Sequence, residues 1–293
     1  MVIILDGRKA ADIIMNDVKN RVQTLKSHGI TVGLGTILIG DDPASIKYVN
    51  GKHADCEKTG ITSYRSELPS FASQDEVEAA VRTFNDDTAI TGFITQLPLP
   101  DGLDANAVIN SMNPDKDADG LHPLNLGRLM LDVDGNGGYP MPCTPSGIIR
   151  LLEMNHINLN GADICVIGRG LTAGRPLAAM LTNKHVNASV DICHTGTHDL
   201  PEHIAAADIV ISCVGKEWFI QPEWINAETV IVDVGVSRIL ENDGKYHVHG
   251  DFHPYCHTVC KAYTPNPGGV GPMTRAMLLD NVVSIAERKL QES

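Results

Sequence analysis

Tyr48 and Lys52 lie four residues apart in a stretch with helical spacing, which places both side chains on one face. A phenol beside an amine can hold and move protons at a reacting carbon, provided burial or a nearby cation brings the lysine toward neutrality. Ile46, Val49 and Cys56 form a separate apolar stripe about 100° around the same helix. The spacing therefore predicts that the pair flanks the core and faces a cleft or solvent, and a plainly solvated Tyr and Lys would show it too. Gly51 within this helix costs about 1 kcal/mol relative to Ala, a sign that something approaches the backbone there. Gln96 closes a buried strand at 92–96 and opens Gln96-Leu97-Pro98-Leu99-Pro100, at the sheet end where open α/β folds bind ligands. The acidic loop 115–120 presents Asp119. By themselves, Gln96 and Asp119 read as ordinary loop residues.

A second chemistry is written in residues 162–174, A-D-I-C-V-I-G-R-G-L-T-A-G, an apolar strand entering a glycine-rich turn. Gly168 permits the tight turn, Gly170 lets backbone approach a pyrophosphate, and Gly174 lets the following helix pack closely on the sheet. The G-x-G-x-x-x-G spacing is one residue longer than the common dinucleotide fingerprint, and a plain strand-to-helix turn would share it. The next strand, 189–193, ends in His194-Thr195-Gly196-Thr197 with no carboxylate at its tip. Arg169 lies in the loop and Arg175 just after it, and a guanidinium offers a planar donor fork to a 2′-phosphate. The reading favours NADP over NAD, with Asp199 downstream as the residue that argues the other way.

The surrounding periodicities supply the elements that must hold these groups. Strands are predicted at 2–4, 36–39, 61–68 and 92–96, with helices at 8–28, from Pro43 to about 58, and 74–85. The first of these helices puts Ile13, Ile14, Val18, Val22 and Leu25 on one face. Such alternation implies a mostly parallel sheet. Residues 120–139 read as loop, and a helix opens near Thr144-Pro145. Further strands follow at 162–167, 189–193, 208–214 and 229–234 before a final helix at 273–290. Residues 264–272 are too rich in Pro and Gly for regular structure, and read either as a linker or as a rigid loop able to line a flat ligand.

The chain of 293 residues accommodates two domains, and the expected bounds are 1–142 plus 274–293 for one and 143–273 for the other. The fold class expected is two α/β domains with a cleft between them, the second a Rossmann-type dinucleotide-binding domain. A net charge of −13 argues against a sequence-independent grip on nucleic acid or anionic lipid. No signal peptide fits residues 2–9, and no segment approaches the length of a membrane span. Seven cysteines, odd in number and partly on predicted buried strands, fit reduced thiols in a cytosolic protein.

Tyr48-x-x-x-Lys52, 96–100, 116–120, Pro142-Cys143-Thr144-Pro145, Gly168-Arg169 and 267–274 occur in one order along the chain. Together they resemble the bifunctional methylenetetrahydrofolate dehydrogenase/methenyltetrahydrofolate cyclohydrolases over nearly the whole length. The resemblance implies an NADP-dependent oxidation of 5,10-methylenetetrahydrofolate followed by hydrolysis to 10-formyltetrahydrofolate, in the one-carbon metabolism that feeds purine biosynthesis. It implies that Lys52 is the catalytic lysine held by Tyr48 and Gln96, with Asp119 on the pterin ring and Pro267, Gly268 and Gly271 bordering the folate. Tyr48 also counts among the substrate contacts, and the implied cofactor contacts are Thr144, Gly168, Arg169, Gly170, Thr172, Thr195, Gly215 and Val236. A cytoplasmic homodimer through the second domain is implied as well. The chain departs from the family at Asn266, where Val is frequent, at Gly170, where Ser is frequent, and in its His-rich stretch.

Three other readings fit less of the chain. In short-chain dehydrogenases a Tyr-x-x-x-Lys pair follows the glycine loop, whereas here Lys52 precedes Gly168. A hydroxy-acid dehydrogenase explains 168–174 but leaves Tyr48, Lys52, Gln96 and 267–272 without a role, and a non-catalytic NADP-binding regulator lacks a basic recognition helix. No P-loop occurs, so a fused formate-ligase activity is not expected. The spacing of His247, His249, His253, Cys256, His257 and Cys260 does not match known zinc patterns, and no metal is expected.

Overall fold

The computed structural model describes residues 2–241 and 243–291. In chain order the elements are Ile3–Ile4 (β1), Gly7–Ser27 (α1), Gly33–Ile39 (β2), Pro43–Thr59 (α2), Thr62–Leu68 (β3), Gln74–Asp86 (α3), Gly92–Thr95 (β4), Ala105–Asn110 (α4) and Pro123–Leu131 (α5). They continue with Cys143–Met154 (α6), Asp163–Ile167 (β5), Gly174–Leu181 (α7), Ser189–Cys193 (β6), Leu200–Ala206 (α8), Ile209–Ser212 (β7), Val230–Asp233 (β8), Ser237–Leu240 (β9), Tyr246–His249 (β10), Cys256–Val259 (α9), Ala262–Tyr263 (β11) and Val270–Gln291 (α10). Two compact units result. One comprises Asp12–Arg128, Gly137–Cys143 and Arg275–Ser293; the other comprises Met1–Ala11, Leu129–Asn136 and Thr144–Thr274.

The lysine-bearing unit is built on a three-stranded parallel sheet in the order β3-β2-β4. Central β2 is buried along its whole length, and Gly33–Ile39 is apolar but for Thr36. Gly35 leaves room for Phe84, since a Cβ there would come within 2.8 Å of that ring. Phe84 in turn meets Phe93 edge-to-face at 5.5 Å, in a core shared with Ile37, Val77, Val81 and Val108. Helix α1 buries Ile14, Val18, Val22 and Leu25, but Ile13 is 62% exposed and does not join that face.

The glycine-loop unit carries a six-stranded parallel sheet in the order β1-β11-β8-β7-β5-β6. From β5 the chain steps outward to β6 and then crosses back to β7, so the strand order reverses between β5 and β7. Ligands of doubly wound sheets bind outside the carboxyl ends of the strands at such a point. A separate antiparallel hairpin pairs β9 with β10.

Two segments sit elsewhere than the expected domain bounds place them. Residues 1–11 belong with the glycine-loop unit because Ile3 pairs with Ala262, and Leu5 N–H donates to Tyr263 O at 2.8 Å. Residues 129–136 join it through Lys184, whose N–H donates to Val133 O at 2.7 Å while its ammonium meets Asp134 at 2.9 Å. The expected loop at 120–139 contains α5, and the Pro- and Gly-rich segment at 264–272 runs into α10 from Val270. Pro272 is tolerated there because N–H groups in a first helical turn have no intrahelical acceptor.

Candidate active site

Helix α2 is fixed at both ends by its own sequence. Asp42 accepts a hydrogen bond from Ser45 N–H at 2.8 Å, Pro43 opens the first turn, and Gly60 closes the helix in the left-handed conformation at φ +80°. Lys52 points inward from this helix and is 4% exposed. Its ammonium donates to Gln96 Oε1 at 3.1 Å and lies 4.6 Å from the centroid of the Tyr48 ring. Gln96 is held in turn: its N–H donates to Ile37 O at 2.9 Å, continuing the β4–β2 ladder, and its side-chain amide donates to Leu97 O at 2.6 Å. Tyr48, Lys52 and Gln96 are thus brought together, and Lys52 is buried where the helical spacing placed it at the edge of the core.

Burial pulls the Lys52 amine below the ordinary lysine range; the Asp119 carboxylate works against that and the Arg275 guanidinium adds to it. Burial also raises the Tyr48 phenol, with Asp119 reinforcing the effect, so that it stays protonated. Asp119 is positioned by its neighbours. Lys116 donates to Phe84 O and Asp87 O at the end of α3, while Asp117 accepts from Gly120 N–H, His122 N–H and Asn125 Nδ2. Asn281 on α10 donates to Ala118 O and Met141 O, fastening the same loop from the other side.

Arg275 and Asp55 had no sequence signal. Arg275 Nε meets Asp55 Oδ2 at 3.0 Å, and a Cβ on Gly51 would come 2.5 Å from Arg275 Nη1. The glycine inside α2 therefore makes room for a guanidinium that faces the lysine.

In the glycine-loop unit, the turn after β5 is as tight as its glycines suggest. Gly168 has φ +115°, and a Cβ on it would strike Cys213 Sγ at 2.7 Å. Gly174 is closer still, its hypothetical Cβ only 2.1 Å from Gly168 O. Beyond Gly170 there is open space, and Arg169, Gly170 and Thr172 are exposed. Thr195 stands exposed at the tip of β6 in a turn closed by Thr197 Oγ1, which accepts from His194 N–H at 2.9 Å. Gly215 lies beside Val236, which is 61% exposed. These residues gather at the carboxyl ends of β5, β6, β7 and β8 and leave backbone, a guanidinium and an apolar surface open to a ligand. The arrangement fits a dinucleotide. Thr144 Oγ1 meets Thr274 Oγ1 at 3.1 Å in this unit, at the start of α6. Pro267, Gly268 and Gly271 also belong here, Gly268 at φ +118° and packed on Arg8, and Gly271 exposed.

Two buried carboxylates hold the loops after β7 and β8. Asp251 accepts from Ser212 Oγ, Val214 N–H and Lys216 N–H at 2.7–2.9 Å, and Asp233 accepts from Asp251 N–H at 3.0 Å. Asn266 donates to Gly235 O at 2.6 Å, a bond that a Val in its place would not make. Burial, reinforced by the Asp251 charge, raises Asp233 to about 6. Native Asp233 thus binds its proton more tightly than the unfolded chain does, so this group's contribution to stability falls as pH rises from about 4 to about 6. Asp233→Asn is expected to remove that slope, measured as urea unfolding free energy across the window; an unchanged slope would contradict it.

Side-chain hydrogen bonds to carboxylates hold the histidines of the hairpin. His249 contacts Glu217 at 2.5 Å and Glu241 at 2.7 Å and stacks on Trp218, while His247 contacts Asp243 at 3.0 Å.

Family models describe the same two pieces of chain. The tetrahydrofolate dehydrogenase/cyclohydrolase catalytic domain matches residues 5–119, and the NAD(P)-binding domain of that family matches residues 142–290. The chain belongs to the tetrahydrofolate dehydrogenase/cyclohydrolase family. The bifunctional FolD methylenetetrahydrofolate dehydrogenase/cyclohydrolase of Campylobacter jejuni is 38% identical, with 99% of this chain and 100% of that one covered and a TM-score of 0.92. The Trypanosoma brucei enzyme, solved with NADP cofactor and inhibitor, is 32% identical over 99% of both chains with a TM-score of 0.92. A 5,10-methylenetetrahydrofolate dehydrogenase from the silkworm Bombyx mori is 30% identical over 99% of this chain and 100% of that one, with a TM-score of 0.91. The chain is a methylenetetrahydrofolate dehydrogenase and methenyltetrahydrofolate cyclohydrolase with an NAD(P)-binding domain of Rossmann type. No helix among the described residues is long and apolar enough to cross a membrane.

Proposed function

We propose that Lys52 moves the proton in the hydrolytic step and that the chain uses NADP in preference to NAD. The observation that carries the first part is the buried Lys52 amine, bonded to Gln96 at 3.1 Å and drawn toward neutrality by its surroundings. When bound, NADP supplies the hydride acceptor for oxidation of the methylene bridge. The chain's own contribution to that step is to position and to shield. In hydrolysis, the oxygen of water bonds to the methenyl carbon while its proton passes to the neutral Lys52 amine. The bond from that carbon to N5 then breaks as the Lys52 ammonium returns its proton to N5. The hydroxyl proton on the carbon leaves to solvent, so the carbon stays on N10 as a formyl group and one proton is released overall. Tyr48 limits the positions open to the amine, Gln96 holds it through Oε1, and Asp119 stands beside them to accept from the pterin.

NADP preference is supported by exposed Arg169 and Thr195 in the glycine-loop unit, and by a β6 tip that carries no carboxylate. The T. brucei relative was solved with NADP. Gly168, Gly170, Thr172, Gly215 and Val236 would line the dinucleotide, with Thr144, Pro267, Gly268 and Gly271 as further contacts. Arg169→Ala is expected to raise KM for NADP about 10- to 100-fold and leave KM for NAD nearly unchanged, the size of one or two charge-assisted hydrogen bonds. Equal effects on both cofactors would take Arg169 away from the 2′-phosphate.

A cytoplasmic homodimer serving one-carbon supply to purine biosynthesis completes the reading. Reduction of NADP with methylenetetrahydrofolate, followed by decay of the methenyl absorbance, tests the two steps in one cuvette. NADPH formation with a methenyl signal that decays no faster than in buffer would remove the hydrolytic assignment from Lys52 and its neighbours.

A further inference from the structure

Strands β5 and β6 place three ligand-type side chains on one face. Cys165 is in register with Asp191, and Ile167 with Cys193, so Cys165, Asp191 and Cys193 all project to the side that α8 covers. Helix α8 brings His203 onto the same spot, its Nδ1 hydrogen-bonded to Asp191 Oδ2. The ligand atoms of Asp191, Cys193 and His203 lie within 4.8 Å of one another, and Cys165 Sγ is 3.7 Å from Cys193 Sγ. Two thiolates on one tetrahedral zinc ion, each at about 2.3 Å, stand about 3.8 Å apart. An open pocket of about 310 Å³ gives access past Ser189, with Cys165, Asp191 and His203 in its lining.

We propose that Cys193, Asp191 and His203 form a binding site for a thiophilic divalent cation such as Zn²⁺, on the α8-covered face of β5 and β6, with Cys165, beside Cys193, turning in as the fourth donor. Two sulfurs, an imidazole and a carboxylate are a donor set that zinc accepts in tetrahedral geometry, and one that hard cations such as Mg²⁺ disfavour. A metal-bound cysteine is a thiolate, so binding releases the thiol protons. No spacing rule finds this site, because Cys165 and Cys193 come from separate strands and His203 from the helix beyond them.

The probe is Co²⁺ titrated into the reduced full-length protein, followed by absorbance and by proton release in weak buffer. The expected result is a thiolate-to-cobalt charge-transfer band saturating at one ion per chain, with about two protons released. The band should vanish in Cys193→Ser and require at least about tenfold more cobalt in His203→Ala, a variant at a partly exposed position that leaves the core in place. Absence of the band in the native protein, or an intact band in Cys193→Ser, would overturn the proposal.

Discussion

Replacing Lys52 with Met is expected to lower cyclohydrolase turnover about 10³-fold or more, while NADP binding and the fold survive. Positioned proton transfer contributes about 10²- to 10⁴-fold in general, and here the amine is the group placed to supply it. Met keeps the length and apolar character of the lysine stem in a position only 4% exposed, so packing around α2 changes little. The main structural loss is the donor to Gln96 Oε1, which costs about 1–3 kcal/mol if that oxygen finds no other partner. Wild-type turnover should rise with pH as the amine deprotonates, with its midpoint below the usual lysine range because burial depresses it. Lys52→Met should abolish that limb. Full cyclohydrolase rate in this variant would take Lys52 out of the chemistry.

The second large effect is expected from Gly174→Ala. Its new Cβ would lie 2.1 Å from Gly168 O, 2.7 Å from Gly168 C and 3.0 Å from Arg169 N. These are backbone atoms of the turn itself, and the turn has little room to give. Gly168 N–H is bonded to Cys193 O at 2.8 Å, and Gly168 is pressed against Cys213. The substitution must therefore shift the loop, at a cost of roughly 1–3 kcal/mol, and NADP affinity should fall by about 100-fold or more. Cyclohydrolase turnover with methenyltetrahydrofolate should persist. Gly170→Ala is the control: a Cβ there meets nothing within 4 Å, so stability should stay within about 0.5 kcal/mol of wild type. Unaltered NADP binding in Gly174→Ala would mean that the cofactor does not sit on this turn.

The legible elements were those with a clean period or clear punctuation. Ser189–Cys193 matches its expected bounds residue for residue, and Pro43–Thr59 lies between an Asp cap and a Gly stop. Helix α5 was illegible for a physical reason. Leu124 is 48% exposed, Met130 67% and Leu131 83%, so its apolar residues trace no single buried stripe, and Gly127 interrupts it. The start of α10 was hidden by Gly271 and Pro272, residues that read as loop but are harmless in a first turn. Ile13 fits the apolar period of α1 yet faces outward, because a period marks an angle on the helix and not what lies opposite it.

Local spacing alone determined that this chain carries a phenol–amine pair on one helix face and a glycine-rich strand-to-helix turn, and the order of its segments pointed to the family. Both chemistries are set by residues within a few positions of one another, where helix and strand geometry are fixed by the backbone. Only the tertiary structure decided that Lys52 is buried, that Arg275 reaches back over Gly51 to Asp55, that β1 completes the sheet through β11, and that Asp191, Cys193 and His203 converge. Those contacts join residues far apart in the chain, and packing between distant segments leaves no periodic mark in the amino-acid order.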